Sequence, residues 1–284
     1  MRWMALFLFL CGFSRPAMTA GGAGAVNAVS TGEKLFYPAP DNYRDFKYHA
    51  LIIGVDIAPV NGSGSTCHVP FAGELAAFLK PWRCFSRGGI TVLKGGQATK
   101  QRIKKTITGF HLGPKDVLII YYGGHGDSKG IAGGGRMRTN ISPAELSDWA
   151  KQSGAGFKAL LLSACYSGIF ARPAEKGRGF QRPGFAVITN GGEGGTSTYA
   201  SESVGFGPYL RKLLNMKQGK AGGVITLGEF RDFIRQENAY WKKEDARLRR
   251  EGPAEKNHYW GESDAHKLSD GRSSGPEDLV LFWN

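Results

Sequence analysis

Two short stretches carry residues fit for acyl transfer. "DVLIIYYGGHG" (116–126) runs an apolar segment into glycines around His125, and "KALLLSACYSG" (158–168) runs another into Cys165. A thiol is a strong nucleophile as the thiolate, and a neighbouring imidazole removes its proton or stabilises its charge. Backbone N–H groups at the same turns can point at a developing oxyanion. Taken alone, a cysteine after a strand reads as a small buried filler. The "GGHG" that ends the preceding apolar segment reverses that reading. Gly123, Gly124, Gly126 and Gly168 permit unusual backbone angles and close approach by a substrate chain. A hydrolase-type elbow, G-x-C-x-G with its histidine downstream, does not fit, because Ser163 takes the first glycine position and His125 lies upstream.

The elements that must hold these residues alternate. Strands are expected at 48–56, 89–96, 116–126, 158–164, 185–190 and 277–283, each a continuous apolar run. Helical spacing covers 71–82, 98–110, 142–152, 207–215 and 226–241. The third of these starts with Ser142 as N-cap, Pro143 at the first helical position and Glu145 three residues after the cap. Apolar strands separated by helices indicate an α/β fold, a mostly parallel six-stranded sheet with helices on both faces. Sites in such sheets form at the carboxyl ends of strands near a topological switch point, which is where His125 and Cys165 fall.

"ALIIGVD", "DVLIIYYGGHGD" and "KALLLSACYSG" resemble the first, third and fourth strands of the caspase-like cysteine peptidases, the group of caspases, metacaspases, legumains and clostripain-like enzymes. The resemblance continues through "FAVITN", "GFGPYLRKLL" and "EDLVLFWN", covering roughly 46–284, and is nearest to bacterial caspase-domain and metacaspase-like proteins. It implies a caspase-like α/β/α sandwich and a cysteine endopeptidase without cofactor, acting on peptide or protein substrates. It implies Cys165 as nucleophile, His125 as general acid/base, and the backbone N–H groups of Gly126 and Cys165 as oxyanion donors. An inactive binding module and a legumain-like transpeptidase are the alternatives.

Specificity is less marked. The position two before the nucleophile, often acidic or polar in this group, is Ser163, which names no P1 residue. Asp56, Glu193 and Glu202 are the other pocket candidates, and an acid at Asp56 favours a basic P1 residue. The basic loop 171–184 occupies the place of the caspase inter-subunit linker, so Lys176, Arg178 and Arg182 are candidate autocleavage sites.

Residues 1–25 read as a secretory signal: Arg2, a short apolar core from Trp3 to Phe13, then small residues. Residues 26–45 form an extended lead-in, and 46–284 the peptidase domain. No later run is long enough for a membrane span. Of the three remaining cysteines, Cys67 and Cys84 flank one short helix and are the expected disulfide, leaving Cys165 as the thiol. The formal charge of +13, or +11 without Arg2 and Arg15, is spread along the chain and accompanies no nucleic-acid motif. No histidine or cysteine spacing suggests a metal.

Overall fold

Continuous apolar strands need cover on both faces, and the computed structural model supplies it. It describes residues 37–56, 67–135, 139–174, 179–193, 206–218, 223–251 and 272–284. All of them belong to the unit Leu35–Asn284. The proposed signal, 1–25, lies outside the described residues.

In chain order the elements are β1 (Lys47–Gly54), α1 (His68–Leu79), β2 (Gly89–Lys94), α2 (Lys100–Thr108) and β3 (Asp116–Gly123). A small hairpin sheet follows, made of β4 (Gly126–Asp127), β5 (Gly130–Ala132) and β6 (Asn140–Ile141). Then come α3 (Pro143–Gln152), β7 (Phe157–Ser163), β8 (Phe185–Thr189) and α4 (Phe206–Lys217). The chain ends with β9 (Val224–Thr226), α5 (Leu227–Glu251), β10 (Ser273–Ser274) and β11 (Val280–Trp283). The main sheet has six strands in the order β10-β8-β7-β3-β1-β2. Its five long members are parallel, and β10 is antiparallel on β8.

Alternate residues of each strand enter opposite cores. Ala50, Ile52, Ile119 and Leu161 pack with side chains of α1, α4 and α5. Leu51, Ile53, Ile120 and Leu160 pack with those of α2 and α3. Full burial of each such leucine or isoleucine contributes about 1.5–3 kcal/mol, and this double burial is why the strands read as unbroken apolar runs.

The sixth strand is not the one expected. The segment "EDLVLFW" does form β11, but it pairs with β9 in a separate two-stranded sheet. Two polar residues, Ser273 and Ser274, complete the main sheet instead. The lead-in also differs from its expected form. Tyr43 and Phe46 are buried, and residues 43–45 make a 3₁₀ turn. Pro38 accepts a bond from the Val280 N–H at 2.8 Å, and the Tyr37 hydroxyl donates to Asp278 at 2.9 Å.

The start of α3 follows its sequence signature. The Ser142 hydroxyl accepts from the Glu145 N–H, and the Glu145 carboxylate accepts from the Ser142 N–H at 3.0 Å. Lys100 at the head of α2 adds an ion pair to Glu145 at 2.6 Å and donates to the Asn140 carbonyl at 2.8 Å, tying both helices to the hairpin. These bonds hold the Glu145 carboxyl below its usual range against the opposing effect of burial. Ser142→Ala is expected to lower unfolding stability by about 1 kcal/mol, measured by denaturant titration.

The expected disulfide is absent. Cys84 is buried in a 3₁₀ turn (residues 83–85), five residues beyond the C-terminal end of α1, whereas Cys67 immediately precedes its first turn. A helix of this length separates its ends by roughly 18 Å, and disulfide-linked Cα atoms lie within about 7 Å. The cysteines that flank the helix in sequence sit at its opposite ends in space.

Candidate active site

Register brings the sequence candidates to one edge. Gly54 of β1 pairs with Gly123 of β3, and Gly123 pairs with Ser163 of β7. Asp56, His125 and Cys165 therefore each stand two residues beyond one row across three adjacent strands. The strand order places this row at the switch, since β2 lies on one side of β1 and β3 on the other. Ladder-type bonds extend past the strand ends: Val55 N–H to Gly123 O at 2.9 Å, and Gly124 N–H to Ser163 O at 3.0 Å.

The glycines do not supply the unusual backbone angles expected of them. Gly123, Gly124, Gly126 and Gly168 do not have positive φ. Each instead makes room for a neighbouring part of the same chain. A Cβ on Gly126 would overlap the Cys165 carbonyl, so the two loops pack backbone to backbone. A Cβ on Gly124 would lie 2.6 Å from the Tyr122 hydroxyl, and one on Gly168 would lie 2.7 Å from the Glu193 nitrogen. The turn after the nucleophile candidate is made by Tyr166, at φ +55°. A left-handed conformation at a residue with a side chain is strained, and this one redirects the chain immediately beyond Cys165.

His125 is half-buried, and its loop is fixed from behind. Its carbonyl accepts from the Ala132 N–H at 2.9 Å, and the buried Tyr122 hydroxyl lies 2.9 Å away, sharing its proton with the Ala132 carbonyl at 2.8 Å. Burial raises the Tyr122 phenol, so it remains a donor. Because Ala132 N–H bonds to His125 O, Gly126 and Ile131 form a non-hydrogen-bonded pair. The Gly126 N–H therefore points away from β5. Tyr122→Phe is expected to cost about 1 kcal/mol of stability in urea unfolding, with slower alkylation of Cys165 by iodoacetamide.

The Cys165 loop is held by residues that sequence reading missed. Asn190, just past β8, accepts from the Ala164 N–H at 3.0 Å and donates to the Ser163 hydroxyl at 3.3 Å. Ser163, the candidate two before the thiol, is thus buried and engaged with Asn190. The Ser167 hydroxyl accepts from Gly191 N–H at 2.9 Å. The "TN" that ends "FAVITN" was the available signal, since a polar pair closing an apolar strand has to bond to something nearby.

The acids have partners within the chain. Asp56 accepts the His68 N–H at 2.8 Å and the Val69 N–H at 3.2 Å, closing the first turn of α1. Burial nevertheless raises its carboxyl above the usual range, against the lowering effects of those two bonds and of His125. Glu193 is forked by Arg172 and by Arg272, the latter at 2.8 Å, and its carboxyl is held low chiefly by the Arg172 bond. Asp127 closes a turn onto Lys129 and Gly130 and accepts from Asn140. Glu202, Lys176 and Arg178 lie outside the described residues. Arg182 is tied to α3, donating to the Ser147 hydroxyl at 2.7 Å and pairing with Asp148. Among the described residues, no group of three or more histidine, cysteine or acidic side chains is placed to hold a metal ion. No described helix is long and apolar enough to cross a membrane.

No family model matches the chain, and no curated protein matches it in sequence. Among solved structures, it is similar to caspase-1 from Spodoptera frugiperda, with 15% identity and a TM-score of 0.49 over 75% of this chain and 82% of that one. The pro-sf-caspase-1 structure gives 12% identity and a TM-score of 0.49 over 90% and 99%. Protein GSU0716 from Geobacter sulfurreducens gives 17% identity and a TM-score of 0.41 over 67% and 89%.

Proposed function

We propose that the chain is an exported caspase-like cysteine endopeptidase with Cys165 as nucleophile and His125 as general acid/base. One observation carries the reading: His125 and Cys165 stand two residues beyond paired positions on adjacent parallel strands, with Gly126 packed against the Cys165 carbonyl. In this mechanism the Cys165 thiolate attacks the scissile carbonyl, and the Gly126 and Cys165 N–H groups receive the oxyanion. His125 protonates the leaving amine, and water then releases the acyl group.

The proposed P1 preference is basic. Glu193 is already committed to two arginines, so a P1 Arg or Lys would be read by the remaining lone pairs of Asp56 or by Glu202. Arg- and Lys-terminated fluorogenic peptides are the expected substrates. Cleavage of Asp- or Asn-terminated peptides in their place would overturn the basic preference and leave the dyad standing. Labelling of Cys165 by an acyloxymethyl ketone, lost in His125→Ala, supports chemistry; absence of labelling in the folded protein supports a binding module. Self-cleavage at Lys176, Arg178 or Arg182 is part of the proposal. Fragments appearing equally in wild type and Cys165→Ala would remove it.

A further inference from the structure

His68 is a buried histidine that the proposed mechanism does not use, and it is built into the same edge as the dyad. It is the first residue of α1 and 6% exposed. Two glycines paired across β1 and β3 form the floor beneath it. A Cβ on Gly54 would overlap the His68 carbonyl, and a Cβ on Gly123 would lie 3.0 Å from His68 Nδ1 and 3.1 Å from the Tyr121 hydroxyl. The backbone of His68 thus rests on the end of β1 and its imidazole on the end of β3, two residues before His125.

The seat is fixed from both sides. Asp56 holds the His68 N–H, and the Tyr121 ring packs on Phe71 of α1, with centroids 5.7 Å apart. The titratable neighbours are Asp56, Cys67, Tyr121 and His125. The charge of His125 acts on both His68 and Asp56, so the three groups share one electrostatic neighbourhood. Burial and that charge push the His68 imidazole down to about 4. It is therefore neutral where a thiol peptidase works, and does not compete with His125 for the proton.

We propose that His68 is a positioning residue for the dyad: seated over Gly54 and Gly123, its imidazole sets the orientation of His125. The proposal rests on the peptidase reading, and names the group that takes the place of an orienting acid. Asp127, the acid nearest His125 in sequence, is spent on its own turn.

The test compares full-length wild type with His68→Leu, His68→Gln and Gly123→Ala. Two readouts are used: peptide hydrolysis, and alkylation of Cys165 by iodoacetamide at pH 7 and pH 9. Misplacing a catalytic group by about an ångström costs on the order of 100-fold. His68→Leu is accordingly expected to lower kcat by between about 10- and 100-fold with KM little changed. Alkylation should slow at pH 7 and much less at pH 9, where hydroxide supplies a base in place of His125. His68→Gln, which keeps a polar group in the seat, should recover most of both losses. Gly123→Ala crowds the imidazole together with the Tyr121 ring and should reproduce the kcat loss, which covers the case in which His68→Leu does not fold.

Wild-type kcat and alkylation in folded His68→Leu and Gly123→Ala would overturn the proposal. So would losses that only track the folded fraction, or losses that His68→Gln fails to recover. If wild type cleaves no peptide yet its Cys165 alkylation depends on His125, the peptidase reading fails, and the alkylation series still decides the role of His68.

Discussion

Cys165→Ala is expected to abolish peptide hydrolysis, with kcat/KM down by at least about 10³-fold, while the protein stays folded. The half-buried side chain loses one sulfur, and the surrounding loop is held by backbone and side-chain bonds from Asn190 and Ser167 that do not involve that sulfur. His125→Ala should cost nearly as much, because the thiol then has no partner to deprotonate it near neutral pH. The double variant should lose little beyond either single one, since residues acting as a unit are not additive. Thermal unfolding within a few degrees of wild type for Cys165→Ala completes the expectation. A Cys165→Ala protein that still cleaves would place the chemistry elsewhere.

The second large effect is on stability in acid. His68 takes a proton near pH 6.5 when unfolded but only near pH 4 when folded. Between those values the unfolded chain binds more protons, so stability falls as pH drops through that window and levels off below it. A shift of this size corresponds to about 3 kcal/mol. Asp56 works in the opposite sense, because its raised carboxyl takes up a proton in the folded state first. The clean measurement is therefore a difference: denaturant unfolding of wild type and His68→Gln at pH 7 and pH 4. The variant should lose less stability over that interval by most of the 3 kcal/mol. Equal losses in both proteins would show that His68 is not held neutral.

Much of this architecture was readable because the strands are covered on both faces. The apolar runs at β1, β2, β3, β7 and β8 stand within about three residues of their expected ends, and the α3 capping box forms as its letters suggest. The edge strand β10 was not readable, because two serines carry no hydrophobic periodicity and owe their place to pairing with Val187 and Ile188. The segment at 277–283 was apolar enough to be a strand, but its letters do not say which sheet it joins. The glycines were expected to supply unusual backbone angles, and they do not. A glycine that bends the chain and one that admits a neighbour look the same in a sequence, and only the contacts at Gly123 and Gly126 separate them. The role proposed for His68 is illegible for the related reason that it depends on the floor beneath it.

The bonds from Tyr48 to Val280 and from Tyr37 to Asp278 join residues 232 and 241 apart in sequence. They give the protein an order of assembly. β1, β2, β3, β7 and β8 can pair before β11 is in place, because those contacts are shorter in range. The seam between the first strand and β11 closes a far longer loop, and closing so long a loop is slow. Until then Tyr48, Trp82 and Phe85 lack the Leu279–Phe282 stretch that covers them. Leu279–Phe282 thus closes a core whose first wall, at Tyr48, stands 232 residues earlier than Val280.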